Sequence, residues 1–155
     1  MDVLQATVGQ GMAARVEELA GKITALAQPL SEEQFWTKPF AFGNSFGHLI
    51  LHLTGNLNYY IGAQIAATGY VRDRPREFAE TDRPQKKVAL QRFEEAVAMA
   101  ARTIRAQSEK DWSQAYTAVG ADHARNRFDI VLTCTSHLNH HLGQMQYLCY
   151  ALGKS

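Results

Sequence analysis

A chain of 155 residues, 46% apolar and 20% charged, is long enough to bury a sizeable core and too apolar for wholesale disorder. Sixteen Lys and Arg against fifteen Asp and Glu leave a net charge of +1. That excludes the basic excess expected of a protein living on nucleic-acid phosphates.

One domain spanning 1–155 is expected. The N-terminus carries an acid at position 2 and no long apolar core, so it does not read as a signal peptide. No apolar run approaches the ~20 residues of a membrane span. Cys134 and Cys149 fall in one C-terminal helical segment, roughly 22 Å apart at 1.5 Å per residue. They cannot pair with each other. Unpaired thiols without an export signal predict a reducing cytoplasm.

Taken in chain order, the pattern is helical. Leu4, Val8, Met12, Val16, Leu19, Ile23 and Leu26 recur at steps of three and four, the spacing of one helix face over 4–28, ended by Pro29. SEEQ at 31–34 is a capping-box pattern that predicts one short turn, with Phe35 and Trp36 covering the bundle end. A second long helix starts at Asn44 or Ser45, carries Phe46, Ile50, Leu53, Leu57, Tyr60 and Gln64 on one face, and stops near Gly69. The charged segment 70–86, with Pro75 and Pro84, reads as a long crossover loop, and RPQKK at 83–87 as a solvated helix start. Leu90, Phe93, Val97, Ala100 and Ile104 mark the third long helix. Residues 109–127 look irregular, and the fourth long helix runs from about 128 to Gly153, a plausible residue just past its end. Nothing alternates with period two for long. The expected fold class is all-α: a four-helix bundle with a long crossover between the second and third long helices.

Five of the six histidines fall on two of these helices. On the fourth, the stripe is Ile130, Cys134, Leu138, Met145, Leu148 and Leu152. At about 100° per residue, His141 lies near its middle, His137 about 40° to one side, and His140 about 100° from His141 and out of the core. On the second, His52 sits at the edge of the stripe and His48 about 40° further out. Two histidines at i and i+4 can chelate one divalent ion, and a third from a facing helix completes a three-histidine site with an open position. Neutral imidazole suits zinc, nickel, copper or iron, and the ligand set does not choose among them. Affinity for an ion is expected to fall as pH drops through the ordinary imidazole value of about 6.5. Asn56 and Gln144 lie beside these histidines on the wheel, either orienting the rings or as ordinary polar residues at the bundle margin.

NSFGHLILHLTGNLNYYI at 44–61 and HLNHHLGQMQYLCYALG at 137–153 together resemble the DinB/YfiT-like family of metal-binding four-helix bundles. His52 matches that family's ligand on the second helix, His137 and His141 match its later pair, and Gly143 and Gln144 match the Gly-Gln element after it. The resemblance covers nearly the whole chain. It implies a divalent metal, zinc or nickel foremost, held by His52, His137 and His141, and often a homodimer. It also implies chemistry on a small-molecule substrate: transfer of a low-molecular-weight thiol to an electrophile, thiol-dependent isomerisation, or metal-dependent hydrolysis. A non-enzymatic metal- or ligand-binding role in stress is the other expectation. His48 and His140 are extra histidines that leave room for an alternative ligand.

No convincing carboxylate stands beside the inward histidines. Glu32, Glu33, Asp73 and Glu77 read as solvated residues of turns and loops, which favours thiol transfer over hydrolysis. Trp36, Tyr59 and Tyr60 are candidates for a pocket lining, though aromatics at helical spacing are mostly core. Leu51 and Ile65, off the main stripe, are candidates for a dimer contact.

Overall fold

A computed structural model describes residues 3–154, the side chain of Gln5 excepted. Four long helices carry it: α1 (Val3–Ala27), α3 (Phe46–Leu57), α4 (Lys86–Arg105) and α6 (Arg127–Ala151). Two short helices, α2 (Glu32–Trp36) and α5 (Glu109–Ser113), sit between them, and no described residue belongs to a strand. α1 and α3 each pack against both α4 and α6, so the cyclic order is α1, α4, α3, α6. The apolar stripes meet in one core that includes Val16, Ile23, Phe46, Ile50, Leu53, Phe93, Ile104, Ile130, Leu138 and Met145. No described helix is long and apolar enough to cross a membrane.

Helix ends follow the local chemistry. Ser31 caps α2, with Gln34 returning the bond to close the capping box. Ser45 caps α3 and Asn126 caps α6. Gly153 at φ 73° takes the left-handed conformation that ends α6. Lys86 does more than face solvent: its Nζ donates to the carbonyls of Leu30 (2.6 Å) and Gln28 (3.2 Å), just past the end of α1.

Three expectations change. The α1 stripe begins at Val8, because Leu4 stands 69% exposed near the helix start. The segment 109–127 is not wholly irregular. Ser108 and Asp111 form a second capping box that opens α5, and Ala115 makes an isolated bridge to Asn126. α3 gives way after Leu57 to a π-helical stretch, Asn58–Ala63. That wider turn carries Tyr59 and Tyr60 to the loop before α6: Val119 N donates to the Tyr59 hydroxyl, and the Tyr60 hydroxyl donates to Val119 O.

Phe35 and Trp36 cover the bundle end, packed edge to face at 5.1 Å between centroids. Gly47 makes this contact possible, since a Cβ there would lie 2.5 Å from the Trp36 ring and 2.9 Å from Phe35. Gly47→Ala is therefore expected to destabilise the fold by about 1–3 kcal/mol, despite the better helix propensity of Ala. A lower denaturant midpoint at unchanged slope is the expected signature. An unchanged midpoint would mean that Trp36 swings aside freely.

Candidate metal centre

α3 and α6 each bring histidines inward from one face. His52 on α3 meets His137 and His141, one turn apart on α6, and one ring nitrogen of each lies within 4.8 Å of the others. The converging atoms are the Nε2 nitrogens: His52 to His137 at 3.1 Å and His137 to His141 at 2.9 Å. His52 and His141 are buried and His137 is half-buried.

For two of the rings the far side decides what those nitrogens can do. His52 Nδ1 lies 2.9 Å from Glu77 Oε2, and a carboxylate only accepts, so Nδ1 carries the proton. His141 Nδ1 donates to Gln144 Oε1 at 2.7 Å. With Nδ1 so engaged, both rings turn Nε2 toward His137. His137 Nδ1 is buried without a partner, so no neighbour fixes that ring's tautomer: its Nε2 either donates to an adjacent ring or, with a cation among the three, offers a third lone pair. The donor set fits a divalent ion.

Burial pushes the His137 imidazole down to about 3, helped by the neighbouring rings of His141 and His52. Burial likewise pushes His141 down to about 4, against the opposing hydrogen bond from Gln144. These two rings stay neutral and ready to ligate well below the ordinary value. The pH at which protons compete for them moves down accordingly from the 6.5 expected of free imidazole. The same shifts carry a sign for stability. Between the unfolded value and the lowered folded values the unfolded chain binds more protons, so stability falls as pH falls through that window. Metal-free protein is expected to melt at a lower temperature near about pH 5 than near about pH 7, and His137→Gln should narrow the gap. Equal gaps in both proteins would contradict the assignment.

The other histidines have different roles. His48 belongs to the interior after all: it is 0% exposed, because α2 and the crossover cover that side of α3. The carbonyl of Ala79 accepts from its Nε2 at 3.1 Å, and Ser45 Oγ bonds its Nδ1 at 2.7 Å. Both ring nitrogens are thus committed, which removes His48 as an alternative ligand. His140 leaves the core as expected and touches Gln144 from outside, while His123 is exposed and bonds Thr133 Oγ1. Gln144 does orient a ring; Asn56 bonds none of the histidines.

Glu77 is the residue that sequence reasoning placed wrongly. It lies in a 3-10 turn, Pro75–Phe78, within the crossover, yet it is only 6% exposed. Arg72 holds it in a fork, Nε to Oε1 at 2.7 Å and an Nη to Oε2 at 3.0 Å. A carboxylate does stand beside the inward histidines, but its oxygens are taken up by Arg72 and His52. It steadies His52 rather than serving as a free base.

His52 and His137 open onto a cavity of about 900 Å³. Tyr59 and Tyr60 line it, whereas Trp36 stays at the bundle end. Cys134, also in its wall, is buried so completely that its thiol is pushed up to about 12. It remains a protonated thiol at neutral pH.

A four-helix bundle with three imidazoles converging from two of its long helices, one of them braced from the crossover, defines a helical class with an internal histidine centre. Residues 15–145 match the DinB superfamily, and the chain belongs to that superfamily. Its fold is shared by a conserved protein from Enterococcus faecalis known from a crystal structure, with a TM-score of 0.76 over 95% of this chain and 98% of that one. Sequence identity between the two is 16%, so the likeness is one of fold. No curated protein matches the chain significantly.

Proposed function

We propose that His52, His137 and His141 hold a divalent ion, zinc or nickel, and that the protein transfers a low-molecular-weight thiol to an electrophilic small molecule. The observation that carries the metal reading is the convergence of the three Nε2 nitrogens with the protons of His52 and His141 held on the far side. A divalent ion so held supplies charge that keeps a thiol ionised at neutral pH, and the same charge acidifies water.

Two features support an external thiol over hydrolysis. No Asp or Glu lines the cavity onto which His52 and His137 open, so no free carboxylate is placed to activate water there. Cys134, the thiol of this chain in that wall, stays protonated. The free, buried state of both cysteines also supports a reducing, cytoplasmic setting.

The test begins with metal content in protein purified without a polyhistidine tag. The loaded protein is then incubated with monochlorobimane and several cellular thiols, and separately with ester substrates. Thiol consumed only when protein is present supports the proposal. Ester cleavage without thiol would make it a hydrolase. Inertness in both arms would leave a metal-binding bundle with a non-enzymatic role.

A homodimer belongs to the same reading. Leu51 and Ile65 pack against the core of their own chain and are poor candidates for the contact. Phe42, Tyr147 and Tyr150, at 79%, 72% and 64% exposure, offer apolar surface for a second copy. Sedimentation across micromolar concentrations checks this, and a monomeric mass throughout would overturn it.

A further inference from the structure

The cavity beside His52 and His137 has a wall whose chemistry points to its ligand. Asn56 lies on α3 and lines the cavity. It is 7% exposed, its Oδ1 is out of solvent, and its amide makes no hydrogen bond among the described residues. A buried amide without a partner carries a desolvation cost that something in the cavity can relieve. His137 Nδ1, in the same wall, is likewise buried and without a partner.

Charge in the wall is of one sign. Arg72 and Arg74 line the cavity, and no Asp or Glu does. Arg72 is neutralised by Glu77 behind it. Arg74 stacks over the Phe78 ring at 5.5 Å and has no carboxylate partner among the described residues. Its charge is available at the rim. The volume, about 900 Å³, sits at the upper end of the range for small-molecule sites.

We infer that this cavity binds a carboxylate-bearing small molecule, with Arg74 pairing its carboxylate at the rim and Asn56 bonding a polar group further in. On the thiol-transfer reading, on which this clause alone rests, that molecule is the thiol itself.

Cobalt-loaded protein tests it, because a cobalt–thiolate absorption band reports arrival of a thiol at the ion. Mercaptosuccinate is expected to bind about fivefold more tightly than its dimethyl ester at low salt. Arg74→Gln should erase that difference and leave the ester unchanged. Asn56→Leu, which keeps the same branched heavy-atom skeleton, should weaken both ligands about tenfold without lowering the melting temperature of the free protein. Equal affinities for acid and ester with Arg74→Gln silent would overturn the inference, as would an Asn56→Leu protein that melts earlier yet binds normally. In either case the cobalt–thiolate band would leave the thiol reading standing. Succinate separates the two claims by calorimetry. Arg74-dependent succinate binding with no band from either thiol supports the carboxylate site and removes the thiol reading. No binding of thiols or succinate overturns both.

Discussion

Replacing His137 or His141 by Ala is expected to abolish most of the rise in melting temperature that zinc or nickel produces, while His140→Ala leaves that rise nearly intact. An ion that binds the folded state alone stabilises it by about 2.7 kcal/mol at a hundredfold excess over Kd. For a chain of this length that corresponds to roughly 5–10 °C. Losing one of three ligands should weaken binding by more than the 10–100-fold that loss of an outer partner costs, so little of the shift survives. His140 is the sharp control, because it adjoins His141 in sequence but stands exposed with its Nε2 on Gln144. Thermal melts with and without metal check the whole series. Loss of the shift in His140→Ala with its retention in His137→Ala would show that the register of α6 is misread.

Glu77→Ala should be the most damaging change outside the histidines. It leaves the Arg72 guanidinium buried without its counter-charge, a loss of about 3–5 kcal/mol. It also frees His52 to turn, so metal affinity should drop about 10–100-fold. Gly55 provides an independent approach from the opposite side. A Cβ at Gly55 would lie 2.1 Å from Glu77 Oε1 and 3.4 Å from Arg72 Nε. A flexible side chain would simply move away, but this carboxylate is held by both Arg72 and His52. Gly55→Ala is thus expected to cost about 1–3 kcal/mol and to weaken metal binding. Gly143→Ala, two residues past His141 on the same helix, meets open space. It should instead stabilise by about 0.5–1 kcal/mol with metal affinity unchanged. Denaturant titrations and calorimetric metal titrations on the two Gly variants provide the comparison. The same sign for both would mean that Glu77 is not held where the geometry puts it.

The parts of the centre legible in the sequence are those that lie on long helices. Periodicity fixes the rotation of α3 and α6, so the inward turn of His52, His137 and His141 and the outward turn of His140 follow from a wheel. His48 shows where the wheel stops. Its angle places it outside the stripe of α3, but burial there depends on α2 and the crossover folding over that face, which no single-helix pattern contains. Glu77 is harder still. It sits in a charged, Pro-containing stretch with no period, and only the approach of Arg72 and His52 in three dimensions makes its burial tolerable. α5 left a trace, Ser108 three residues before Asp111, in a segment too short for a stripe. The π-helical turn at Asn58–Ala63 left none: the face read through Tyr60 and Gln64 assumes an unbroken α-helix, whereas the structure buries Ile61 and leaves Gln64 exposed.

Surface connections between bundle helices are where chains ordinarily gain and lose residues over evolutionary time. The crossover here has little of that freedom. Arg72 and Glu77 are locked to each other and to His52, the Ala79 carbonyl is tied to His48, and Glu80 pairs with Lys38 and Arg83. An insertion or deletion of a single residue between positions 72 and 77 would disturb the Arg72–Glu77–His52 set, and one between 77 and 79 would disturb the Ala79–His48 bond. The exposed turn at Gly69, just ahead of this stretch, bears no such tie, so length drift in descendants of this chain, and any engineered insertion, belongs there.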